Sequence, residues 1–259
     1  MLEITFKSSI GKLNALYHHS KNVNAPVAIV VGSSSMDSRT KSNLFSETTD
    51  AIAETFIEND FSTLKFSFRE LTISGKKDTE KEADNLLDLT TALDWLHSKN
   101  IESKSFWVCG LDTGGIATLQ LVMRRPEIEN YILVSPKIRK DDLDFIVPCS
   151  ASGLLVRGSE DLRFLEEDCI NLQEKLITKT ESKIKYMTVY NAERDYKTEL
   201  GQLKSLIGEY LKEKMEEDRK NMRSIIVNKR RRRKKKMLEA DEGRIVYVNP
   251  IKPLDIDNI

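Results

Sequence analysis

The chain has 259 residues, 32% charged and 39% hydrophobic, and contains no apolar run of the ~18 residues that a membrane span needs. Its formal net charge of zero hides an asymmetry. Lys229-Arg230-Arg231-Arg232-Arg233-Lys234-Lys235-Lys236 takes eight of the 41 basic residues and leaves 33 against 41 acidic ones, a balance of −8 on the rest of the chain.

The elements follow from periodicity and turn chemistry. Residues 3–8 and 12–18 flank Ile10-Gly11 and read as a hairpin. Val27-Ala28-Ile29-Val30-Val31-Gly32 is an unbroken β-branched run, the pattern of a strand buried on both faces. A helix is expected over 45–58, a strand over 62–68 and a long amphipathic helix over 79–99. Ser74-Gly75 reads as turn chemistry. Ser105-Phe106-Trp107-Val108 opens the next strand, followed by a helix over 113–124 and a strand over 131–135. A strand over 153–158, a helix over 162–179, a strand over 184–190 and a helix from Tyr196 to about Asn221 complete the series. Strands alternating with helices imply an α/β fold, a mostly parallel sheet with helices on both faces. Composition changes near Asp218, so the chain divides into a domain over 1–220 and a basic, flexible C-terminal extension over 221–259. Within that extension Arg244-Ile245-Val246-Tyr247-Val248 is a short β-prone segment.

Cys109, Cys149 and Cys169 are too scattered for a disulfide framework, and no C-x-x-C pair suggests a metal. Small buried hydrophobes in a reducing compartment are the simpler reading, and with no signal peptide at the N-terminus the expected location is the cytoplasm. Trp95 and Trp107 are expected in the core. Nothing in the sequence implies a cofactor.

Cys109-Gly110-Leu111-Asp112-Thr113-Gly114-Gly115 carries the main functional signal. A strand, a sharp Gly-x-X-x-Gly turn and a helix form a nucleophile elbow, in which the two glycines let strand and helix approach and the central residue stands on a strained turn. That residue is normally Ser; here it is Asp112.

With these residues the chain resembles a bacterial family of small α/β-hydrolase-fold proteins, related to dienelactone-hydrolase-like and S33-peptidase-like enzymes. The resemblance runs from about Gly11 to Lys214. It includes Asn24-Ala25-Pro26, Phe66-Ser67-Phe68-Arg69, Ala92-Leu93-Asp94-Trp95-Leu96, Arg124-Arg125-Pro126-Glu127, Asp144-Phe145-Ile146-Val147-Pro148-Cys149 and Gly153-Leu154-Leu155-Val156-Arg157-Gly158. It implies the α/β-hydrolase fold and a Ser–acid–His triad, from which this chain departs. Where the family has a His-Pro-His-Pro-like loop near the oxyanion hole, this chain has Gly32-Ser33-Ser34-Ser35; Gly32, Ser33, Ser34 and Thr113 are its oxyanion-loop equivalents. Asp112 takes the Ser position, Asp161 fills the acid position and Arg194 falls where the His belongs.

In the ordinary triad Ser attacks, His takes its proton and an acid orients the His. His18, His19 and His97 all precede the elbow, and a guanidinium does not act as a base. Asp at the elbow is the nucleophile in haloalkane dehalogenases and epoxide hydrolases of this fold, but their ester intermediate needs a His-activated water. Glu193 or Asp195 would have to substitute. The alternative is structural: an Asp112–Arg194 ion pair, with Asp161 on the other side of Arg194, satisfies charges that are costly to bury singly. The Ser33 and Ser34 hydroxyls suit a small anion, although a plain polar loop is the simpler reading.

Three functions therefore stand open. The leading one is a binding or accessory protein with a degenerate triad, a small-molecule ligand in the old active site and a polyanion (nucleic acid, anionic membrane surface or acidic protein) on the basic tail. The second is a noncanonical hydrolase with Asp112 as nucleophile, acting on ester-like or small-molecule substrates. The third is a nucleic-acid-associated accessory factor. No aromatics interleave with the basic run, so base stacking is not suggested.

Overall fold

A computed structural model describes residues 1–8, 11–33, 46–68, 78–138, 143–180 and 183–242. The expected alternation is present. The elements are β1 (Leu2–Ser8), β2 (Gly11–His18), β3 (Val27–Gly32), α1 (Ser46–Glu58), β4 (Ser62–Ser67), α2 (Asp78–Lys99), β5 (Phe106–Leu111), α3 (Thr113–Val122), β6 (Ile128–Val134), β7 (Ser152–Gly158), α4 (Glu166–Thr180), β8 (Ile184–Val189) and α5 (Leu200–Glu242). Eight strands form one sheet in the order β1-β2-β4-β3-β5-β6-β7-β8. β2 runs antiparallel to β1 and β4, and every other pairing is parallel.

The centre of the sheet is covered on both faces. All six residues of β3 and all six of β5 are buried. Val27, Ile29 and Val31 join one apolar cluster with Leu89, Leu93 and Leu96 of α2 and Leu172 and Leu176 of α4. Trp107 of β5 instead meets Phe56 of α1, Phe61 and Tyr210 of α5, with ring centroids 6.4, 5.6 and 6.1 Å away. Gly208 of α5 has Thr55 of α1 next to it, and Lys204 bridges Glu54 and Glu58. Trp107 is buried as expected, whereas Trp95 lies at the edge of the core against Phe6 and Tyr17.

Three elements differ from expectation by three residues or more at a boundary. β6 begins at Ile128, not Tyr131, because Phe106 already pairs with Ile128 across a bulge. α4 begins at Glu166, not Leu162, because Asp161 accepts the N–H groups of Arg163 and Phe164 and holds that stretch in a turn. α5 begins at Leu200 and runs to Glu242 rather than ending near Asn221. No Gly or Pro interrupts it between Gly208 and Gly243, and Lys, Arg, Glu, Met and Leu are all good helix formers. The basic run therefore has helical backbone. The chain forms two compact units, Met1–Lys212 and Glu213–Ile259. The Arg244–Val248 segment, Ser34-Ser35 and the Ser74-Gly75 turn lie outside the described residues.

Candidate functional site

The parallel strands end together on one side of the sheet, and the loops that leave them there carry the site. Asp112 joins β5 to α3 with a positive φ of 51° and ψ of −112°, a conformation that an L-residue adopts only when its surroundings impose it. Those surroundings are visible. The Asp112 N–H donates to the Val134 carbonyl at 3.1 Å, and its carbonyl accepts from Gly115 and Lys137. A Cβ at Gly110 would overlap the Gly114 carbonyl, and one at Gly114 would lie 2.8 Å from the Val31 carbonyl oxygen. The two glycines are therefore required by close approach, as an elbow demands.

Asp112 is 1% exposed and both its carboxylate oxygens are engaged. Oδ1 pairs with Arg194 Nη2. Oδ2 accepts the Ser33 hydroxyl at 2.5 Å, and Ser33 Oγ also lies 3.1 Å from Thr113 Oγ1. Arg194 Nη1 stands 3.9 Å from Asp161 Oδ1, and the Asp161 side chain is fully buried. The structure thus brings Asp112, Asp161, Arg194, Ser33 and Thr113 to one place, with Gly32 ending the neighbouring strand. Ser34 falls outside the described residues. Burial of the Arg194 guanidinium lowers its pKa from the usual arginine value, the direction expected when a cation loses water.

Two loops position these groups. The acid loop is held by Arg157, whose Nε donates to the Phe164 carbonyl at 2.8 Å and whose Nη2 donates to the Ser159 carbonyl at 3.0 Å. The last loop is tied to it, because Glu160 N–H donates to the Ala192 carbonyl and Asn191 N–H to Ser159 Oγ, both at 2.9 Å. Tyr196, fully buried and itself left-handed at φ 57°, shares a 2.7 Å hydrogen bond with Ser135. Thr48 of α1 donates to the Asp195 carbonyl. The sequence pattern does not single out Tyr196, Ser135 or Thr48: each acts across a long chain separation, and no local signal marks such a contact.

The histidines are elsewhere. His18 ends β2, His19 meets the Tyr17 hydroxyl at 2.8 Å, and His97 stacks on Phe106. Cys109, Cys149 and Cys169 are free thiols, and burial pushes Cys169 up to about 12. Among the described residues no group of three or more His, Cys, Asp or Glu side chains is arranged to hold a metal, and no helix is long and apolar enough to cross a membrane. Of the basic run, the side chain of Arg232 is exposed.

No family model matches the chain. An uncharacterized protein of Rickettsia prowazekii is 26% identical over 215 residues, covering 82% of this chain and 89% of that protein. An α/β-serine-hydrolase homologue from Coxiella burnetii matches with a TM-score of 0.65 at 16% identity, covering 81% of this chain and 97% of that one. At that identity the likeness concerns the fold alone. A protein of unknown function from Agrobacterium tumefaciens, described as an α/β hydrolase, is 31% identical with a TM-score of 0.72, covering 83% of this chain and 97% of its own. Together with the sheet order and the elbow turn, that likeness settles the classification: this chain belongs to the α/β-hydrolase family.

Proposed function

We propose that this α/β hydrolase has lost ordinary serine hydrolysis and acts as a binding or accessory protein. One observation carries the reading: Arg194 is paired with Asp112, two residues that the family resemblance sets at the positions of base and nucleophile. A carboxylate attacks carbon through a free lone pair that the substrate can reach. The Asp112 side chain is 2% exposed, with one oxygen on a guanidinium and the other on the Ser33 hydroxyl. The pair replaces an acid–base relay by a fixed charge balance, since Arg194 stays protonated at neutral pH. A ligand of the old active site would meet the remaining N–H groups of Arg194, whose side chain is 12% exposed. The free thiols suit a reducing cytoplasm.

Labelling with a fluorophosphonate probe tests the reading. The unmodified protein should stay unlabelled, and Asp112→Ser alone should not restore turnover, because the base is still missing. Asp112→Ser with Arg194→His should give a trace of activity. Robust labelling of the unmodified protein would mean that a serine such as Ser33 is activated and the reading fails.

In the same reading the run from Lys229 to Lys236 contacts a polyanion, supported by eight consecutive cations on helical backbone. Six to eight phosphate contacts to duplex would give a log–log salt slope of about −5 to −7. A salt titration of the full chain, and of a chain truncated after Asn221, against RNA, duplex DNA and anionic vesicles reads it out. Binding confined to the full chain supports the assignment, and equal binding by both removes it.

A further inference from the structure

Four of the parallel connections in the sheet are covered by a helix: α1 between β3 and β4, α2 between β4 and β5, α3 between β5 and β6, and α4 between β7 and β8. Between β6 and β7 the described residues contain no α-helix. A cavity of about 290 Å³ lies beside α4, lined by Ile138, Leu143, Phe164, Asp168, Asn171, Leu172 and Lys175. This is close to the lower end of small-molecule sites, ~300 Å³.

The lining divides by chemistry. Leu143, Phe164 and Leu172 are buried members of the core and form an apolar floor with Ile138. Asp168, Asn171 and Lys175 all come from α4 at spacings of three and four, and so lie on one face of the helix. Asp168 already has a structural role, since it accepts the Leu165 N–H at 3.2 Å, the backward bond of a helix N-terminal cap. Lys175 is partly buried and makes no ion pair among the described residues. Asp168 and Lys175 are seven residues apart, so their helix positions are separated by about 10 Å along the axis. Among the described residues the cavity therefore offers an apolar floor and, at the far end from the cap, the Lys175 ammonium beside the Asn171 amide.

We propose that this cavity is a binding site for a small apolar carboxylate, separate from the Asp112–Arg194 pair. The carboxylate sits on the Lys175 ammonium and the Asn171 amide, and the hydrocarbon covers Phe164, Leu172, Leu143 and Ile138. Phe164 links the cavity to the acid loop, because its N–H donates to Asp161 Oδ1 and its carbonyl accepts from Arg157. The assignment does not depend on whether Asp112 is catalytically silent.

Titration calorimetry on the full chain with octanoate, octanol and octylammonium tests it. Octanoate should bind saturably, octanol more weakly and octylammonium not at all. Lys175→Gln keeps a good helix former at a half-buried position, and should weaken octanoate about tenfold or more while leaving octanol unchanged, since a charge-assisted hydrogen bond is lost. Absence of octanoate binding, equal binding of octanoate and octanol, or unchanged octanoate affinity in Lys175→Gln would each overturn the proposal. The wild-type ligand series keeps it falsifiable even if the variant fails to fold.

Discussion

Among the described residues, two clusters place one arginine between two carboxylates. Arg125 Nη2 lies 2.7 Å from both Asp94 and Glu127, with side-chain exposures of 24%, 60% and 31%. Arg194 serves Asp112 and Asp161, with exposures of 12%, 2% and 0%. The chemistry is the same and the surroundings are opposite. Burial acts to lower the pKa of both guanidinium groups. At Arg125 the hydrogen bonds to Glu127 and Asp94 outweigh it and the pKa rises; at Arg194 burial prevails and it falls. An exposed cluster exchanges water for partners at little net gain, whereas a buried one gives up water that its partners must replace. A buried cluster of this kind on the strand-end side of the sheet calls for an explanation beyond stability, and the proposed loss of the triad is one.

The largest test of this contrast removes the buried cation. Arg194→Met leaves Asp112 and Asp161 without their guanidinium, and should cost about 3–5 kcal/mol in urea unfolding. Adding Asp112→Asn should recover part of that loss, so that the two changes couple strongly in a double-mutant cycle. Additive losses would mean that the pair is not a unit. Next comes the loop that carries Arg194: Tyr196→Phe deletes the hydroxyl partner of Ser135 and should cost about 1–2 kcal/mol. A neutral result would show that this bond does not hold the loop.

At the exposed cluster Arg125→Met should cost no more than about 1 kcal/mol. The smallest effect is its pH dependence. Burial acts to raise the Glu127 pKa, but the hydrogen bond from Arg125 outweighs it and holds the carboxyl below its ordinary range. The folded state thus binds fewer protons than the unfolded one through this window. The contribution is full above the unfolded value of about 4.3 and disappears as pH falls through the folded value. With Glu127 partly exposed and Asp94 exposed, it should amount to about a few tenths of a kcal/mol and be absent in Arg125→Met. A large acid-dependent loss assigned to Glu127 would erase the distinction between the two clusters.

Much of the buried cluster is legible in the amino-acid sequence. Gly110 and Gly114 around Asp112 mark the elbow, and its strand and helix follow from local periodicity. The place of Arg194 comes only from the family resemblance, which sets it where a His follows the last strand. The Ser33–Asp112 hydrogen bond joins residues 79 positions apart, and the Ser135–Tyr196 bond joins residues 61 apart; no periodicity carries such information. The last helix misleads in the other direction. A charge run reads as an extension without a core, yet helical backbone needs only residues that tolerate it, and α5 continues to the residue before Gly243. The cavity beside α4 is equally illegible in the sequence, because it joins residues of the β6–β7 connection to α4 residues far along the chain.

The central claim is that the Asp112–Arg194 pair stands where a nucleophile and its base would act. Short acyl ester hydrolysis, compared between the unmodified protein and Asp112→Ala at matched folded concentration, tests it most directly. The account predicts no turnover above the uncatalysed background in either protein. Turnover in the unmodified protein that disappears in Asp112→Ala would contradict it and make Asp112 a working nucleophile.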